Sequence, residues 1–115
     1  MLGRQGESLA LEHYERLGFR LLERNYRTRS GEIDLIVCEP RATVFAEVKT
    51  RRLGGLDPLA SITAVKRTRM RRTAAAWIAC HPERPRTEEL RIDVIAIVVD
   101  DHGRLISLEQ FEDVA

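Results

Sequence analysis

The chain has 115 residues, 19 Lys and Arg against 18 Asp and Glu, and a formal net charge of +1. At that length one domain over residues 1–115 is the expectation, because single domains cluster at roughly 100–150 residues. Hydrophobic residues make up 43% and charged ones 32%, which excludes disordered and fibrous classes. The longest apolar run, residues 94–99, is far short of the ~20 residues of a membrane helix. The first 19 residues carry three Glu and no apolar stretch, so no secretory leader is expected and a cytoplasmic protein is. Cys38 and Cys80 lack any neighbour at metal-ligand spacing. Two reduced thiols are expected in preference to a disulfide, and a zinc site is not.

Residues 6–17 read as a helix, with Ala10, Tyr14 and Leu17 on one stripe and Gly18 as its stop. Glu7 falls on the same stripe. There it needs a cation or metal partner, or it simply exploits the favourable field of a first helical turn. Residues 19–27 form a first strand through Phe19, Leu21 and Tyr26. Stronger strands follow at 31–37 and 43–50, separated by a turn at Cys38-Glu39-Pro40-Arg41. A loop at 52–55 leads to a helix over 58–80, whose apolar stripe is Leu59, Ile62, Met70, Trp77 and Cys80. Lys66 lies in the middle of that stripe. It either snorkels past the sheet edge or points toward the same site as Lys49.

The connection 81–89 is rich in Pro, Arg and Glu, and residues 90–99 form a buried strand that Asp93 interrupts. Asp93 reads as structural, bonding Arg or backbone groups. A turn at Asp101-His102-Gly103 leads to a short last strand at 105–108. His13, His81 and His102 sit on polar or turn segments and look uninvolved. The order α-β-β-β-α-β-β gives an α/β (α+β) fold, a mixed central sheet flanked by helices.

Neutral overall, the chain segregates its charge. Residues 49–72 hold eight cations and one acid, whereas residues from 100 onward hold five acids and one Arg. Arg forks suit phosphate, so the basic block fits a surface facing a polyanion. Equally, it fits a solvated helix face with i,i+4 pairing.

The chemistry concentrates on the two middle strands. In residues 31–37, alternation puts Glu32, Asp34 and Ile36 on one face and Ile33, Leu35 and Val37 on the other. In residues 43–50, Phe45, Glu47 and Lys49 share a face, with the last two projecting roughly 6–7 Å apart. A hairpin about Pro40-Arg41 sets Asp34 opposite Ala46 or opposite Glu47. The second register gathers Asp34, Glu47 and Lys49 on one face. Two carboxylates on adjacent strands suit Mg²⁺, which takes one or two of them and keeps waters and phosphate oxygens. A lysine beside them steadies charge developing on phosphorus.

Asp34 followed by Glu47-Val48-Lys49, after a helix bearing Glu7, resembles the PD-(D/E)XK nuclease superfamily. More specifically, Gly6-Glu7, Arg24-Asn25-Tyr26-Arg27, residues 31–36 and 45–51, Lys66-Arg67 and Arg91-Ile92-Asp93-Val94 resemble the bacterial YraN-type family. That family is placed near Holliday-junction resolvases. Ile33 stands where the superfamily name puts Pro, and Ile92 stands where an aromatic is expected. The resemblance covers about residues 6–99. It implies a restriction-endonuclease-like αβββαβ core and Mg²⁺ or Mn²⁺ on Asp34 and Glu47. It further implies Lys49 as the catalytic lysine, Glu7 as a supporting acid, and dimerisation by analogy with resolvases.

The expectation is therefore a metal-dependent endonuclease acting on duplex or branched DNA. Arg51, Arg52, Lys66, Arg67, Arg69 and Arg71 would hold its backbone without reading sequence. With one Trp, two Tyr and three Phe, a stacking platform for single strands is not expected. The alternatives are a non-catalytic DNA-binding accessory with the same fold, and a protein–protein adaptor pairing its basic helix with an acidic strand.

Overall fold

The computed structural model describes residues 2–54 and 57–115, with side chains described from residue 4 onward. Gly55, in the predicted 52–55 loop, lies outside the described residues. Helix α1 (Leu2–Arg16) precedes strands β1 (Arg20–Thr28), β2 (Gly31–Cys38) and β3 (Ala42–Arg52). A 3-10 turn (Pro58–Ser61), helix α2 (Ala64–Cys80), β4 (Glu89–Val99) and β5 (Leu105–Phe111) follow. The sheet order is β1-β2-β3-β4-β5. Only β3 and β4 pair in parallel, as the α2 crossover between them requires.

Alternation along the central strands builds two cores, one on each face of the sheet. On one face Ala10 and Tyr14 of α1 pack with Leu35, Val37, Val44, Ala46, Ile95 and Ile97. On the other, Met70, Ala74 and Trp77 of α2 pack with Ile36, Phe45 and Val94. Leu17, expected on the α1 stripe, is 53% exposed, because the chain turns away at Gly18 in a left-handed conformation (φ 93°). Phe19 caps that end instead, its ring edge-on to Tyr14 at 5.3 Å.

Three further expectations about α2 and β2 are corrected. The single helix over 58–80 is two elements, because two residues compete for backbone N–H groups. Asp57 caps the 3-10 turn by accepting from Leu59 N, and Thr63 caps α2 by accepting from Lys66 N. The stripe on α2 is Met70, Thr73, Ala74 and Trp77, while Cys80 is exposed. Thr73 tolerates burial by donating its hydroxyl to the Arg69 carbonyl at 2.9 Å. Finally, Ile33 packs on the α2 face although Leu35 and Val37 pack on the α1 face. Alternation fails there because Asn25, between the Arg24↔Leu35 and Tyr26↔Ile33 pairs, has a φ of 53°.

β5 extends to Phe111, past the expected end at 108, and the chain then folds back so that Val114 N donates to the Ile92 carbonyl. Asp93 anchors this end. Its fully buried carboxylate accepts from Tyr14 Oη, Arg91, Gln110 Nε2 and Asp113 N at 2.8–3.3 Å. Burial, and then the Asp93 charge, push the Tyr14 phenol far above its usual range. Both cysteines are free thiols. Among the described residues, no helix is long and apolar enough to cross a membrane.

Candidate nuclease-type site

The hairpin register resolves the chemistry. Leu35 pairs with Ala46 and Ile36 with Phe45, which sets Asp34 at the level of Glu47. The β2–β3 pairing stops at Leu35↔Ala46, whereas β3 stays paired with β4 as far as Arg52↔Val99. β3 therefore has an unpaired edge from Glu47 onward on its β2 side. Into that opening Asp34 turns its carboxylate, and Oδ2 accepts from Val48 N at 2.7 Å, replacing a ladder bond. The start of α1 lies against β3 beside this opening. A Cβ on Gly6 would lie 1.8 Å from Thr50 Oγ1, so a residue without a side chain is what lets α1 bring Glu7 in.

Four acids meet here. Burial raises the Asp34 carboxyl from 3.8 to about 6, with the Val48 N–H opposing and the charges of Glu7, Glu47 and Glu32 adding to the rise. Glu7 and Glu32 are tied together by Asn25. Its amide nitrogen, in the orientation that satisfies both ends of the amide, donates to Glu32 Oε1 at 3.2 Å and to Glu7 at 3.2 and 3.3 Å. Arg24 lies 3.9 Å from Glu7. Glu47 is 9% exposed, with Lys66 Nζ 2.7 Å from Oε1 and Lys49 Nζ 3.4 Å from Oε2. Oε2 is buried without a hydrogen-bond partner.

That orphaned oxygen is the test of whether a divalent cation fits. An unsatisfied carboxylate oxygen next to a second carboxylate is a hard-oxygen donor set suited to Mg²⁺ or Mn²⁺. Among the described residues no three His, Cys, Asp or Glu are grouped to hold a metal. A closed cage of the zinc type is thus absent among them, whereas Mg²⁺ needs only one or two carboxylates.

The structure thus brings Asp34, Glu47, Lys49 and Glu7 into one cluster. For Lys66 it selects the second of the two open placements, contact with the carboxylate beside Lys49. The remaining cations divide. Arg69 lines a groove with Lys66, whereas Arg67 lines another with Gln110, Glu112 and Asp113. Arg71 donates to Thr68 Oγ1, and Arg52 reaches the Asp100 and Asp101 carbonyls. Arg51 and Lys49 line a cleft with Arg52, Asp57 and Glu109. Helix α2 contains no acid at all, so i,i+4 pairing does not explain its five cations.

Glu32 and Asn25 are not among the site residues expected from sequence, yet signals for both are present. Glu32 alternates onto the face of Asp34, and Asn is the residue type most at ease at positive φ.

A helix-flanked mixed sheet in α-β-β-β-α-β order, with acid, acid and lysine where β2 and β3 part, defines the restriction-endonuclease-like class. Comparison with known proteins narrows this. The model of the family described as "Uncharacterised protein family UPF0102" matches residues 6–97. A UPF0102 protein of Corynebacterium efficiens is 44% identical over 98% of this chain and 90% of its own length. One from Streptomyces griseus is 42% identical over 89% and 86%, and one from a Mycobacterium species is 46% identical over 84% and 72%. The chain belongs to the UPF0102, or YraN, family, which lies within the restriction-endonuclease-like superfamily.

Proposed function

We propose that the protein is a Mg²⁺- or Mn²⁺-dependent endonuclease that hydrolyses phosphodiester bonds in duplex or branched DNA. The observation that carries this reading is the buried Oε2 of Glu47, which accepts no hydrogen bond although Lys49 stands beside it, one strand away from an Asp34 whose carboxyl is raised to about 6. Asp34 and Glu47 would hold the cation. When bound, it supplies Lewis-acid stabilisation of negative charge on the phosphate oxygens. Lys49 donates hydrogen bonds to the attacking water and steadies charge growing on the phosphoryl group. The water oxygen bonds to phosphorus and gives up its proton to bulk water, the ester P–O bond breaks, and the departing oxygen takes a proton from solvent. Glu7, held by Arg24 and Asn25, keeps the field at Asp34 negative. A cytoplasmic location suits the free thiols of Cys38 and Cys80.

One observation favours a rival, a DNA-binding accessory without cleavage. Both Glu47 oxygens already face ammonium groups, so the carboxylate is partly neutralised without metal. Labelled four-way junction, flap, duplex and single-stranded DNA, incubated with Mg²⁺ or Mn²⁺, separate the two. The nuclease reading expects metal-dependent cutting that falls at least ~10²–10³-fold in Asp34→Ala and Lys49→Ala. Salt-sensitive binding by all three proteins with no cutting by any would install the accessory reading in its place.

A further inference from the structure

The turn between β1 and β2 stands against the flank of α2. Ser30, Gly31 and Glu32 on one side, and Lys66, Arg69, Met70 and Thr73 on the other, line a small groove. It adjoins the Glu47 cluster through Lys66. The turn is set in place locally. Ser30 N donates to Thr28 Oγ1 at 3.0 Å, and Gly31 takes a φ of 148° that a side chain would resist. Of the charged groups along it, Glu32 is covered by Arg27, whose Nε lies 3.3 Å from Oε2, and Lys66 is covered by Glu47. The exposed guanidiniums of Arg69 and of Arg29, next to Ser30 in the turn, have no ion pair or hydrogen-bond partner among the described residues.

The placement of these cations runs against the helix's own electrostatics. Lys66 and Arg67 occupy the first turns of α2, Arg69 follows, and no acid is present in the first turn. A helix N-terminus carries partial positive charge and favours anions, so cations there are unfavourable unless an anion faces them. Such an arrangement is stabilised by an external anion, and a groove walled by the Ser30 hydroxyl and the Arg69 guanidinium offers donors suited to a phosphate group.

We propose that this groove receives a backbone phosphate of the nucleic acid, flanking the one at the Asp34–Glu47 site. Arg69, in the groove wall, grips it from α2, and Arg29, exposed and one residue before the groove-lining Ser30, adds its charge from the turn. This makes the β1–β2 turn, outside the basic block of residues 49–72, the second wall of the DNA-binding surface. The partner's identity rests on the function proposed above. The groove makes no use of its catalysis.

The test is salt-dependent binding of a labelled short DNA duplex, in chelator so that nothing is cut, between ~50 and ~200 mM salt. Wild type is compared with Arg29→Gln, Arg69→Gln, the double variant carrying both changes, and Arg20→Gln. Arg20 is also exposed and lies at the far end of β1, about 25–30 Å from the turn. Each groove variant is expected to flatten the log K against log salt slope by up to ~0.9, the share of one phosphate. The double variant is expected to lose about one such share, because both guanidiniums hold a single phosphate, and Arg20→Gln to follow wild type. Groove variants with the wild-type slope overturn the proposal, and so does a wild type that does not bind DNA. Cleavage by wild type in the Mg²⁺ or Mn²⁺ assay, with unchanged slopes in chelator, sinks the groove alone. Changed slopes without cleavage sink the nuclease alone.

Discussion

Asp93 and Glu47 are buried acids on neighbouring parallel strands, one register step apart, since Asp93 pairs with Ala46 and Glu47 with Val94. Their surroundings differ completely. Asp93 is met by a phenol, a guanidinium, an amide and a backbone N–H, so both its oxygens are satisfied. Glu47 keeps one oxygen without a hydrogen bond, and the nearby Asp34 is crowded by three like charges. A buried carboxylate with every lone pair satisfied joins parts of a fold. One left wanting, beside others of its own sign, is a cost that a fold tolerates where something must bind. Here one acid ties α1, β4, β5 and the C-terminal segment together. The other waits at an opening in the sheet.

Removing the satisfied acid should have the largest effect on stability. Asp93→Ala leaves Arg91 and the Tyr14 hydroxyl without their partner, and is expected to cost about 3–5 kcal/mol. In thermal unfolding this appears as a fall of well over 10 °C. A variant melting within a few degrees of wild type would end the contrast between the two regions.

The crowded acid should behave in the opposite sense. Asp34 holds its proton more tightly when folded, at about 6, than at its ordinary value of 3.8. The folded state therefore binds the extra proton between those values, and stability falls as pH rises through them. Asp34→Asn removes the charge and retains an oxygen to accept from Val48 N. It is expected to match wild type below about pH 4 and to gain progressively up to pH 6. Above that the gain levels off at roughly 2–3 kcal/mol. Urea unfolding at pH 4, 5, 6 and 8 checks this, and a loss of stability at pH 8 would show that Asp34 is a structural acid like Asp93.

The smallest change sharpens the comparison from the other end. Tyr14→Phe deletes one of the donors to Asp93 and keeps the ring that packs on Phe19. It is expected to cost about 1–2 kcal/mol. An effect as large as that of Asp93→Ala would mean that the phenol, and not the network, holds α1 to the sheet.

Much of this was open to reading in the sequence. Glu47 and Lys49 fall on one face by simple alternation, and Asp34 joins them in one of the two hairpin registers considered. Alternation failed only at Ile33, where the backbone of Asn25 reverses hand across the ladder. Apolar spacing continues through Ile62 into α2, but the helix expected over 58–80 divides in two because Asp57 and Thr63 each start a new element. Glu32 went unnoticed as a member of the site because its role depends on Asn25 and Glu7, which approach it from other elements.

The sequence by itself determined the element order, the two-faced patterning of the central strands, the family and the identity of the acid–acid–lysine set. The order and patterning follow from periodicity and neighbouring residue types, which local sterics and backbone hydrogen bonding translate directly into helix and strand. The family, and with it the acid–acid–lysine set, follows from the resemblance of the chain's motifs. Only the tertiary structure decided where β2 parts from β3, that Lys66 reaches Glu47, that Asp93 is fully satisfied, and that the β1–β2 turn lies against α2. Those outcomes depend on register and on the close approach of residues distant in the chain. No local window of sequence contains them.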